Sequence, residues 1–161
     1  FKHDGWAVPW LARLTFMLPF AKRVGIGRRS VFMETEPYGL MDERLRAQIS
    51  AAMQSGDSSV AGLPGNPWHS LAELYLLSRV VRRQLHQITQ PCLIAHAVND
   101  DIASLANARL VERSVRGPVE ILLLENSYHM ITIDKERRLL ARKSAAFFAG
   151  IDATPAATAQ G

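Results

Sequence analysis

Between residues 88 and 150 the apolar positions change period twice. Two apolar runs, residues 92–95 and 119–124 (the second broken only by Glu120), read as buried strands. The segment between them, residues 104–116, is long enough for a crossover helix. That arrangement predicts a βαβ unit with parallel strands. Upstream, Leu45, Ile49 and Met53 recur at four-residue spacing, which predicts a helix capped by Asp42 and ending near Gly56. Residues 56–68 are rich in Gly, Ser, Pro and Asn and read as loop. A Ser70-x-x-Glu73 pattern then predicts a capping box for a helix with Leu71, Leu74, Ser78, Val81 and Leu85 on one face. Pro91 ends that stretch in extended geometry. Downstream of the second strand, Asp134 is the expected cap of a closing helix that runs through Phe148. Its expected buried positions are Leu139, Leu140, Ala146 and Phe147, and Gly150 is its expected stop.

The organisation expected from these patterns is α/β. Residues 1–30 connect to the remainder of the fold, 31–87 read as mainly helical and irregular chain, 88–150 as a compact α/β segment, and 151–161 as a disordered tail. Two strands are too few for a parallel sheet covered on both faces, and the chain begins at Phe1. Both facts lead us to expect the C-terminal portion of a larger α/β protein.

Composition narrows the picture further. With 161 residues, 48% of them hydrophobic, the chain can bury a sizeable core. The net charge of +4 comes from scattered arginines, Arg28-Arg29 and Arg82-Arg83 being the tightest groups. No basic and aromatic stripe emerges, so nucleic acid is not an expected partner. Pro9, Arg13 and Pro19 interrupt the apolar run from Trp6 to Ala21, which excludes stable membrane insertion there. No signal-peptide pattern follows Lys2, His3 and Asp4, and the cytoplasm is the expected location. Cys92 lies within a strand and reads as a small buried hydrophobe.

The candidate chemistry sits just after the two strands. Asp100 and Asp101 follow the first, and His129 follows the second. In parallel sheets, reactive groups collect beyond the carboxyl ends of the strands. A carboxylate and an imidazole delivered there can meet, the carboxylate fixing the ring tautomer and stabilising its charged form. Taken singly, Asp100 or Asp101 reads more readily as a helix cap or turn residue, and His129 as a surface or packing residue; it is their pairing at adjacent strand ends that shifts the reading. His3, His69, His86, His96 and His129 show no ligand spacing, so no metal is expected. Gly25-Ile-Gly27 lacks a preceding strand, so no phosphate-cradling loop or cofactor is expected. The early aromatics, with Met33, Met41 and Met53, suit a lipophilic pocket or ordinary packing alike.

Two stretches resemble a known family. Ile-Thr-Gln-Pro-Cys-Leu-Ile-Ala-His-Ala-Val-Asn-Asp-Asp, ending at Asp101, resembles the acid strand of α/β-hydrolases. Asn126-Ser-Tyr-His-Met-Ile-Thr-Ile-Asp-Lys-Glu-Arg137 is similar to the histidine loop of the carboxylesterase and monoacylglycerol-lipase branch. The resemblance covers residues 88–149. It implies a C-terminal α/β-hydrolase portion behind a cap, with Asp100 as triad acid, His129 as triad base and Asp101 as a non-catalytic neighbour. Two departures stand out: Ala97 occupies a place often held by Gly, and Tyr128 replaces a small residue before the histidine. No Gly-x-Ser-x-Gly is present in the sequence. The resemblance therefore implies a serine and an oxyanion hole upstream of Phe1, a small-molecule acyl ester as substrate, and an isolated chain that is inactive. Acyl transfer, another α/β-hydrolase activity and a catalytically dead binding protein remain open alternatives.

Overall fold

The computed structural model describes residues 16–55 and 65–152. The expected connection up to residue 15, the loop over 56–64 and the tail from 153 lie outside the described residues. Helix α1 (Leu18–Arg23) leads to strand β1 (Val31–Met33) and helix α2 (Glu43–Gln54). Strand β2 (Gly65–Pro67), helix α3 (Trp68–Gln84) and strand β3 (Cys92–Ala97) follow. Helix α4 (Leu105–Ser114), strand β4 (Val119–Leu124) and helix α5 (Arg137–Asp152) close the chain.

The βαβ unit forms as the apolar runs require. Strand β3 pairs with β4 in parallel, in register from Cys92 opposite Val119 to Ala97 opposite Leu124. The Ser104 hydroxyl caps α4 by accepting the Ala106 amide at 3.2 Å. The turn into β4 is tight: the amides of Arg116 and Gly117 both donate to the Ile88 carbonyl, at 2.8 and 3.1 Å. A Cβ at Gly117 would lie 2.0 Å from the Gln90 carbonyl oxygen, so only glycine fits there. Ala97 and Leu124, at the carboxyl ends of the two strands, are fully buried.

Asp42 caps α2 as expected, its carboxylate accepting the Arg44 and Leu45 amides at 3.1 Å each. Met53 is buried on the face shared with Leu45 and Ile49. Four expectations need correction. Residues 65–67 are not loop but strand β2, antiparallel to β1 with Val31 opposite Pro67. Helix α3 starts before Ser70, with Pro67 at its N-cap and no side-chain cap, and Glu73 pairs instead with Lys22 of α1. Of its expected apolar face, Leu85 is buried, whereas Leu74 and Val81 are 45% and 46% exposed. At the C-terminus, α5 runs through Gly150 and Ile151 to Asp152, past the expected stop, and Ala146 is exposed on it. A single glycine costs only about 1 kcal/mol within a helix, too little to end one by itself.

Candidate functional site

Strand β3 delivers Asp100 three residues past its end, and β4 delivers His129 five residues past its end. The parallel register places the two loops side by side, and the side chains meet. His129 Nδ1 donates to the Asp100 carboxylate at 2.9 Å to Oδ2 and 3.1 Å to Oδ1. A carboxylate only accepts, so Nδ1 carries the proton and Nε2 is left for proton exchange. Asp100 Oδ1 also accepts the amides of Ile102 and Ala103, at 2.9 and 2.7 Å. Its side chain is 5% exposed, whereas that of His129 is 43% exposed. An accessible ring is thus mounted on an inaccessible carboxylate.

The electrostatics follow from this contact. Burial works against the charge on Asp100, but the His129 hydrogen bond and the two amides outweigh it and hold the carboxyl below its ordinary range. The Asp100 hydrogen bond raises the His129 imidazole, against desolvation, with Asp100, Asp101 and Glu34 adding attraction for the charged form. His96 is the remaining ring nearby. Its Nδ1 donates to the Ala97 carbonyl at 2.7 Å, and Nε2 lies 3.8 Å from Asp100 Oδ2, beyond hydrogen-bond reach.

Two further carboxylates hold the loop that carries the ring. Asp101 is fully buried. Its Oδ2 accepts the Gly39 amide at 3.0 Å, and its Oδ1 accepts the amide of His129 itself at 3.4 Å. Asp134 is also fully buried and accepts four amides: Met41 and Tyr128 at 2.8 Å, and Asp42 and Lys135 at 2.9 Å. Burial opposes the Asp134 charge, yet these donors together lower its carboxyl below the usual value. The expected helix cap at Asp134 is therefore a different device. Its carboxylate ties residues 41–42 to the histidine loop, and only its carbonyl meets the start of α5, through the Arg137 amide at 3.2 Å. Glu136 completes the loop by accepting the Asn126 amide at 2.8 Å and the Ser127 hydroxyl at 3.1 Å. Ser127 is fully buried in this pair, which removes it as a nucleophile.

Comparison with known proteins gives the frame for this geometry. The chain is 28% identical over 102 residues to the thermostable monoacylglycerol lipase of Bacillus sp. (strain H-257), a match covering 63% of this chain and 41% of that protein. A structure from work on LipS and LipT, two metagenome-derived lipolytic enzymes, superposes with a TM-score of 0.54 at 28% identity. It covers 55% of this chain and 37% of the other. The monoacylglycerol lipase of Paleococcus ferrophilus matches with a TM-score of 0.65 at 14% identity, over 92% of this chain and 54% of that one, which is a likeness of fold. No family model matches the chain. This chain carries part of an α/β-hydrolase fold of the lipase and esterase kind. It spans roughly two fifths to one half of the length of these relatives.

Within that α/β-hydrolase frame, both residues singled out from the sequence, Asp100 and His129, come together. The contributions of Asp101, Gly39 and Glu34 were not legible in the sequence. Gly39 and Glu34 lie more than 60 residues upstream of Asp101 and His129, and no local pattern links them. Among the described residues, no group of three or more His, Cys, Asp or Glu side chains could hold a metal ion, and no helix is long and apolar enough to cross a membrane.

Proposed function

We propose that this chain supplies the acid and base of a serine carboxylic-ester hydrolase, with a monoacylglycerol or a similar medium-chain acyl ester as substrate. The observation that carries this reading is the accessible His129 ring whose Nδ1 is held by a buried Asp100 carboxylate. The nucleophilic serine and the oxyanion hole lie in sequence preceding Phe1, and residues 31–87 form the cap over the acyl pocket.

In the reaction, His129 Nε2 takes the proton of the serine hydroxyl as the oxygen attacks the ester carbonyl. The imidazolium then gives that proton to the departing alcohol. A water molecule repeats the sequence to release the acid, with the ring again as base and then as acid. Asp100 keeps the proton on Nδ1 and stabilises the imidazolium in both halves. The raised imidazole bears on the rate directly. His129 must be neutral to act as base, so kcat/KM falls as pH drops below its folded value.

The test is hydrolysis of monoacylglycerol and p-nitrophenyl esters by the full-length source protein, with and without alternative acyl acceptors. His129→Ala should abolish turnover and leave the fold intact. Near-normal rates in that variant would remove His129 from the reaction, and product dominated by transfer to an added alcohol would make the protein an acyltransferase.

A further inference from the structure

Asp100 and Asp101 are neighbours in sequence, yet their carboxylates do different work. Asp100 holds the His129 ring. Asp101 reaches the main chain of the same residue through its amide, and with its other oxygen holds Gly39. The Gly39 carbonyl in turn accepts the Met130 amide at 2.9 Å, so the 38–40 turn and the histidine loop are joined on both sides of His129. Tyr38 and Gly39 are both left-handed, with φ of 55° and 73°, and a Cβ on Gly39 would stand 2.9 Å from the Cβ of His129. The turn is shaped to let the histidine backbone approach closely. Asp101 is fully buried; burial and the neighbouring Asp100 charge push its carboxyl above the ordinary value, while the Gly39 and His129 amides favour the ionised form, which only accepts.

We propose that Asp101 is a positioning residue for His129: its buried carboxylate fixes the histidine backbone against the Gly39 turn and places a second negative charge beside the imidazole. This rests on the hydrolase reading above and extends it from the triad pair to a triad with a backbone clamp. Asp134 offers an internal control, because it ties the same loop through Tyr128 and Lys135 without adding to the attraction that raises the imidazole. The charged or titratable groups facing the ring are Asp100, Asp101 and Glu34, and His96 faces Asp100. Asp101→Asn keeps an acceptor oxygen and removes one of these charges.

The experiment has two readouts on the full-length protein. The first is ester hydrolysis over pH, counted per site titrated by a fluorophosphonate. The second is the NMR titration of the His129 ring, which needs no catalysis. Asp101→Asn should lower kcat about tenfold to a hundredfold with KM nearly unchanged, as for a displaced catalytic group. Its imidazole midpoint and the acid limb of kcat/KM should both move to lower pH. Asp101→Ala, which loses the acceptor as well, should lose more of kcat than the amide variant, while Asp134→Asn should lose stability and keep the wild-type midpoint. Wild-type kcat and midpoint in Asp101→Asn would overturn the proposal, and so would an Asp101→Asn protein that fails to fold, since the carboxylate would then be a structural staple. If the wild-type protein shows no esterase activity, the hydrolase reading fails by itself, and the NMR midpoint still decides the role of Asp101.

Discussion

Residues 88–152 and the described residues before them (16–55 and 65–87) are built on different principles. In the later stretch, three buried or nearly buried carboxylates, Asp100, Asp101 and Asp134, each meet two or more N–H donors. In the earlier stretch, large apolar side chains stand in solvent: Phe20 at 66%, Leu77 at 59% and Val80 at 50% exposure. The two meet where Asp101 and Asp134 collect the amides of Gly39, Met41 and Asp42. The contrast shows where precision is needed. The region that holds the imidazole against its carboxylate is fastened by charge-assisted hydrogen bonds, which are directional. The region assigned above to the cap carries apolar surface, which is not directional.

The sharpest way to break this comparison is to remove the strongest fastening. Asp134→Ala strands four amides and should cost about 3 kcal/mol or more in urea unfolding, since hydrogen bonds to a charged group are worth about 1.5–3 kcal/mol each and buried donors are left unpaired. A cost below 1 kcal/mol would show that water replaces the carboxylate and that the loop is not held by it. The same residue sets a pH dependence. Its folded carboxyl lies below the ordinary 3.8, so its contribution is full above that value and is lost as pH falls through the folded one. Wild type and Asp134→Ala should therefore converge in stability only below about pH 4, as urea titrations at stepped pH would reveal.

A smaller effect is expected at the seam. Gly39→Ala combines a left-handed φ of 73° with a Cβ 2.9 Å from His129, and should cost about 1–3 kcal/mol in thermal or urea unfolding. An unchanged midpoint would mean that the turn relaxes freely and does not seat the histidine. The smallest effect belongs to the earlier stretch. Leu77→Gln, on the exposed side of α3, should change the stability of this chain by no more than about 0.5 kcal/mol. A larger loss would show that the apolar face is covered.

The same contrast explains what could be read from the sequence. Strands β3 and β4, helix α4 and the acid and histidine after the strands are legible because each is encoded within a few residues. Apolar runs, a crossover segment of helical length and residues just past strand ends are local signals. Strands β1 and β2 are three residues each: Val-Phe-Met is too short to show an alternating pattern, and Gly-Asn-Pro contains no strand-favouring residue. The helical face proposed around Leu74 and Val81 followed correct periodicity, yet periodicity does not say whether a partner lies opposite. Asp134 looked like a helix cap because an acid before a helix usually is one. The four amides it collects come from both sides of a contact spanning more than 90 residues, which no local pattern records.

The central claim is that His129 and Asp100 activate a serine, and fluorophosphonate labelling of the full-length protein followed by peptide mapping tests it most directly. The expected result is one serine adduct upstream of Phe1 that disappears in His129→Ala and Asp100→Asn proteins of normal fold. Absence of any adduct in well-folded protein, or labelling that persists undiminished in both variants, would contradict it.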